Sequence, residues 1–217
     1  MNSTHSWQQG HLERVSRSFA FCIQQLDEPM RPWVGITYLV CRVLDTIEDA
    51  KWKNQEQQRQ AFQDFNSRLF EPNHNLSDLG WLDDLDLPEG EELLLRDATR
   101  VFTELHELPL TVKPVVQTMV HSMSLGMQHY CCDKHSPEVR LNTVQEVNQY
   151  CFFVAGVVGE ILSHLILEVC GQSKEGFSKE WLLEAYHFGL FLQKVNLLKD
   201  QMKDEAEGRF LIPSRID

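Results

Sequence analysis

The chain has 217 residues, 42% of them hydrophobic, and a formal net charge of −12. That length holds one sizeable core or two small domains, and the acidic balance argues against a nucleic-acid partner, which would call for a basic stripe. Six scattered cysteines without a CxxC pair read as small buried hydrophobes in a reducing compartment, the first fifteen residues lack a signal-peptide core, and no run of about 18 uncharged apolar residues marks a membrane span.

Apolar residues recur at helical spacing along almost every long segment, and strand-like alternation is missing, which predicts an all-α fold. A first helix is expected over about residues 7–26. It carries Ser16, Arg17 and Ser18, a guanidinium between two hydroxyls that suits phosphate oxygens, although by itself the trio reads as an ordinary surface arginine near a helix start. Prolines at 29 and 32 mark a turn into a helix over about 31–51. Ile36, Leu39, Val40, Val43 and Leu44 should bury that helix. Asp45, Glu48 and Asp49 follow at i, i+3 and i+4, so three carboxylates share one face within about one turn. Arg42, on the same face, either pairs with these acids or reaches a substrate phosphate.

A polar outer helix is expected over 54–70, with Phe62, Phe65 and Leu69 as its core stripe. Residues 71–92 read as a loop whose acids, in DDLDLPEGEE, face solvent or favour a helix N-terminus. Helices over about 90–107 and 111–132 come next. His121, His129, Cys131, Cys132, Asp133 and His135 match no standard zinc spacing. Thr143 and Glu146 predict a capping box that opens the most apolar helix, running to about residue 170. Gly156 and Gly159 inside it each cost about 1 kcal/mol against alanine, which predicts close packing or a cavity wall, with Tyr150 beside it. The last helix, about 178–206, carries Gln193, Asn196, Lys199, Asp200 and Asp204, and Arg209 lies just past its end.

Three acids closing a buried helix repel one another and resist desolvation. A cation offsets both effects, and Mg²⁺ takes oxygen ligands, keeps waters and bridges to phosphates. Asp200 and Asp204, at i and i+4, again follow an apolar helical run. Either set alone reads first as a solvated face. Two such helices facing each other would cage a metal-bridged diphosphate.

Four blocks carry a resemblance: SRSF at 16–19, YLVCRVLDTIED at 38–49, YCFFVAGVVGE at 150–160 and GLFLQKVNLLKD at 189–200. In this order and at this spacing they resemble the squalene/phytoene synthase family, and the last two are more similar to its squalene-forming branch. The resemblance implies one isoprenoid-synthase domain of helices around a central apolar cavity, with residues 1–217 as the N-terminal two-thirds of a longer family domain. It implies a Mg²⁺-dependent head-to-head condensation of two farnesyl diphosphates to presqualene diphosphate, then reduction to squalene by NADPH. By position, Asp45, Glu48 and Asp49 resemble the first metal motif, and Asp200 and Asp204 the second. Ser16, Arg17, Ser18, Arg42, Lys199 and Arg209 resemble diphosphate contacts, and Arg17, Arg42 and Lys199 also NADPH-phosphate contacts. Phe19, Tyr38, Tyr150, Gln193 and Asn196 resemble residues around the reacting carbons and the leaving group, Tyr150 being the candidate to move a proton. A cytoplasmic or cytoplasm-facing, membrane-associated location with peripheral membrane contact follows. Two departures stand out: Lys203 replaces a glutamate of the second motif, and Lys199 stands where squalene synthases carry arginine. A phytoene- or dehydrosqualene-type synthase without NADPH, and a non-catalytic isoprenoid-binding relative, are the alternatives.

Overall fold

The structure is a computed structural model that describes residues 3–71, 82–132, 138–171 and 179–213. Helices dominate it, in the order α1 (Ser3–Val15), α2 (Arg17–Gln24), α3 (Met30–Asp49), α4 (Gln55–Phe70), α5 (Glu89–Arg96), α6 (Ala98–His106), α7 (Lys113–Cys131), α8 (Val144–Cys151), α9 (Val157–Val169) and α10 (Lys179–Ala206). A π-helical turn, Phe152–Gly156, joins α8 to α9. The chain divides into two compact units, residues 1–117 with 168–170 and residues 118–167 with 171–217.

In the first unit, α3 is the hub, packed by α1, α2, α4, α5 and α6. Leu39, Val40 and Leu44 are fully buried, together with Phe62 and Leu69 of the α4 stripe and Leu94 of α5. Phe65 meets Phe102 of α6 edge-on at 5.4 Å. Two expected helices are broken. The first breaks at Ser16, whose backbone is extended and whose hydroxyl accepts the Phe19 N–H at 3.4 Å, capping α2. The second breaks at Asp97, between α5 and α6. The Asp97 carboxylate meets Trp7 Nε1 at 3.1 Å and Nε2 of the buried His11 at 2.8 Å, so contacts with α1 hold the junction. Of the expected 71–92 loop, residues 72–81 lie outside the described residues. Leu82–Asp84 form a single 3₁₀ turn, and α5 begins at Glu89, inside the expected loop.

In the second unit, α10 packs against the π turn and α8. Tyr130, Tyr150, Cys151, Leu190 and Leu197 form the centre of its core. Close approach explains the helical glycines. A Cβ on Gly159 would sit 2.4 Å from the Ala185 carbonyl oxygen, and one on Gly189 would sit 2.6 Å from that of Ala155. Thr143 caps α8 by accepting the Glu146 N–H at 3.1 Å, while the Glu146 carboxylate reaches back to the Asn142 N–H. Against the expectation of no strand, Val139–Arg140 pairs in parallel with Arg209–Phe210. Against the expectation of no long apolar run, Val144–Val169 is long and apolar enough to cross a bilayer by length and composition, a property that core helices share.

Candidate functional site

The end of α3 gathers the first set of carboxylates. Glu48 is buried, Asp45 half-buried and Asp49 exposed. No basic residue stands in the last turn of α3, so the acids meet the negative end of the helix dipole uncompensated by their own helix. Burial, followed by the charges of Asp49 and Glu48, pushes the Asp45 carboxyl up to about 8, with Arg42 pulling the other way. Arg42 Nη2 hydrogen-bonds the Glu91 carboxylate on the first turn of α5. Burial opposes the Arg42 charge, but Glu91 and Asp45 outweigh it and raise its pKa. The buried Arg42 Nε–H has no acceptor among the described residues.

Tyr38 lies one turn before Arg42. Burial raises its pKa, and a hydrogen bond with Ser16 partly offsets that. The Phe19 ring packs on Tyr38 at 5.0 Å, and the Ser16 and Ser18 hydroxyls lie 3.4 Å apart. The cap of α2 therefore touches the same face of α3 that carries Arg42 and Asp45. Arg17 is exposed and, with Ser16, Arg14, Glu13, Glu89 and Gly90, lines an open cleft of about 510 Å³. Glu91 falls in the first turn of α5, in line with an acid that favours a helix N-terminus, but its pairing with Arg42 was not legible in the sequence. Its partner is 49 residues away, and only the packing of α5 beside α3 reveals the pair. Asp84, from the same acidic run, is exposed as expected and also pairs with Lys53.

The second unit couples residues that the sequence treated separately. Arg209 Nη2 donates to the Tyr150 phenol oxygen at 2.8 Å, and Tyr130 meets the Tyr150 ring edge-on at 5.2 Å. Tyr150 is thus buried and oriented by a cation. On α10, Gln193, Asp200 and Asp204 are half-buried and share a helix face with buried Leu190 and Leu197. Asn196, Lys199 and Lys203 are exposed. Lys199 Nζ lies 3.7 Å from Asp200, so the charge expected to meet a phosphate also neighbours a proposed metal ligand. Gly156 and Gly159 pack tightly on α10, which answers the choice between packing and cavity wall in favour of packing. A cleft of about 480 Å³ in this unit is lined by Arg140, Asn142, Thr143, Gln201, Glu205 and Phe210 among others, and includes none of Tyr150, Gln193, Asp200 or Asp204.

The donor chemistry fits Mg²⁺. The α3 carboxylates are hard oxygen ligands whose mutual repulsion a dication relieves. Among the described residues no three His, Cys, Asp or Glu side chains are arranged to enclose a metal by themselves. Asp133 and His135 of the loose His/Cys cluster lie outside the described residues. Of the three residues named for NADPH phosphate, Arg17 is exposed on α2, Arg42 is engaged by Glu91, and Lys199 is exposed on α10.

A family model described as squalene/phytoene synthase matches residues 12–216. The squalene synthase of Eremothecium gossypii is 32% identical over 207 residues, which cover 94% of this chain and 45% of that protein. The human squalene synthase is 32% identical over 206 residues, covering 95% of this chain and 46% of the other. The chain thus spans under half the length of these curated relatives. Among solved structures, a complex of TcSQS with the ligand E5700 superposes with a TM-score of 0.77 at 31% identity, covering 97% of this chain and 58% of that one. A complex with the ligand BPH1237 gives a TM-score of 0.76 at the same identity.

Proposed function

The chain belongs to the squalene/phytoene synthase family and has its all-α isoprenoid-synthase fold; from that premise we propose that it carries the metal- and diphosphate-binding part of a squalene synthase. The proposed reaction joins two farnesyl diphosphates head to head, forming presqualene diphosphate with loss of diphosphate and a proton. Reduction by NADPH then gives squalene with loss of the second diphosphate. The observation that carries this reading is the Asp45 carboxyl, raised to about 8 by burial and by Asp49 and Glu48 at the end of α3. Strongly perturbed carboxyls gather at functional sites, and a dication bound here would offset the burial and the repulsion that raise this one.

Mg²⁺ supplies neutralisation of the diphosphate as it departs. Asp45, Glu48 and Asp49 are its proposed ligands on α3, and Asp200 and Asp204 its proposed ligands on α10. Ser16, Arg17 and Ser18 offer two hydroxyls and a guanidinium to phosphate oxygens at the cap of α2. Arg42 has a spare Nε–H for the same purpose. Lys199 and Arg209 are further phosphate contacts in this proposal. Phe19 and Tyr38 present aromatic faces that can stabilise an allylic cation, with Gln193 and Asn196 as polar neighbours of the leaving group. Tyr150, oriented by Arg209, is the proposed proton carrier. For the whole protein, two farnesyl diphosphates and NADPH are the proposed substrates, and contact with a membrane surface follows from an apolar product.

Labelled farnesyl diphosphate supplied with Mg²⁺, with and without NADPH, tests the reading. Squalene formed only with NADPH is the expected result. A polyene formed without NADPH would make the protein a dehydrosqualene- or phytoene-type synthase. Lipid binding without diphosphate release would make it a binding relative, a role that Lys203 in the second acidic motif favours.

A further inference from the structure

Arg68 sits near the end of α4 with only 5% of its surface exposed. Its guanidinium is permanently charged, and a charge buried in a protein core calls for a partner. The Nε–H is shut off from solvent and has no acceptor among the described residues. Asp64, one turn earlier on α4, works against the burial that lowers the Arg68 pKa, yet burial prevails. The Asp64 carboxylate also accepts from the exposed Gln60 amide at 3.0 Å. His106 of α6 meets the Arg68 carbonyl oxygen at 2.9 Å, which fixes the backbone beneath the side chain.

Arg68 lines a small cavity in the core of the first unit, with room for about one water-sized body. The other walls are apolar side chains of α3, α4, α5 and α6, among them the buried Val43, Ile47, Phe65, Leu95 and Phe102. Val43 and Ile47 lie on the side of α3 opposite Asp45 and Asp49, so the cavity is separate from the carboxylate site. Buried water usually makes about three hydrogen bonds, and these walls add no polar side chain to Arg68. An anion needs donors alone, and a desolvated guanidinium attracts it strongly.

We propose that Arg68 and this cavity form a buried site for one compact monovalent anion of halide size, a structural ion that neutralises the arginine inside the core. Phosphate and sulfate exceed a space for one water-sized body. The ion joins α4 to the helices around it, so its effect is on stability and not on turnover.

The test melts the full chain and its Arg68→Met variant in NaCl, NaBr and sodium gluconate at equal ionic strength, without Mg²⁺. The variant keeps an unbranched side chain, removes the charge and controls for general salt effects. Relative to the variant, the unsubstituted chain should gain about 2 °C or more in chloride and bromide at saturation. In gluconate, whose anion is too large for the cavity, Arg68→Met should melt no lower than the unsubstituted chain, because an apolar side chain replaces an uncompensated buried charge. A bromide-soaked crystal should show an anomalous peak within hydrogen-bond distance of Arg68 Nε, and it decides the question if Arg68→Met does not fold. Two results overturn the proposal: a halide response no larger in the unsubstituted chain than in Arg68→Met, or a water or a protein acceptor at Nε where bromide is expected. Neither readout involves farnesyl diphosphate, so a failed squalene assay leaves both interpretable.

Discussion

Asp45 and Glu91 carry the residue-scale physics. The folded-state pKa of Asp45 is raised from 3.8 to about 8, so the folded chain binds the proton more tightly than the unfolded chain. Its contribution to stability is full below about pH 4 and is lost as pH rises through 8. Replacing it by a neutral isostere should therefore change little in acid and help in base. Asp45→Asn is expected to abolish Mg²⁺-dependent turnover. In metal-free buffer it should also stabilise the chain by about 1–2 kcal/mol at pH 8.5, a figure discounted for partial exposure. Thermal melts at pH 4.5 and 8.5 check the sign. Glu91→Ala leaves the Arg42 guanidinium half-buried beside a lost partner. It should cost about 1–3 kcal/mol, and a double-mutant cycle with Arg42→Ala in urea unfolding should recover part of that as coupling.

At the scale of elements, the contact between the π turn, α9 and α10 depends on backbones approaching more closely than side chains permit. Alanine normally stabilises a helix over glycine by about 1 kcal/mol. At position 159 a methyl group would press within 2.4 Å of the Ala185 carbonyl, which is backbone and cannot swing aside. Gly159→Ala is expected to destabilise by about 1–3 kcal/mol, opposite in sign to the propensity effect, and urea unfolding distinguishes the two. The cap of α2 is a second element-scale dependence. Ser16 both caps that helix and hydrogen-bonds Tyr38. Ser16→Ala should therefore cost about 1 kcal/mol and loosen the Tyr38 side chain, visible as a change in tyrosine fluorescence.

For the whole molecule, a net charge of −12 makes binding of divalent cations a stabilising event. Ligand binding to the native state adds RT ln(1 + [L]/Kd). Mg²⁺ at about ten times its Kd should thus stabilise the chain by about 1.4 kcal/mol. Asp45→Asn should lose most of that gain, and EDTA should reverse it in the unsubstituted chain. Melts titrated with MgCl₂, with ionic strength held constant by NaCl, separate specific binding from screening.

The all-α class, the position of nearly every helix, the buried stripes of α3 and α4, and the acid motifs were all legible in the residue order. Those features follow from local periodicity, and i, i+3 and i+4 spacing places Asp45, Glu48 and Asp49 together whatever else the chain does. The helix break at Asp97, the Arg42–Glu91 pair, the Tyr150–Arg209 hydrogen bond and the π turn were decided by tertiary structure alone, whereas the break at Ser16 is a local serine cap that the sequence reading passed over. Each of the former joins groups far apart in the chain or trades a regular helical bond for a packing contact. Local propensity cannot encode such a choice, because burial and electrostatics across packed helices outweigh the fraction of a kcal/mol per residue by which it acts.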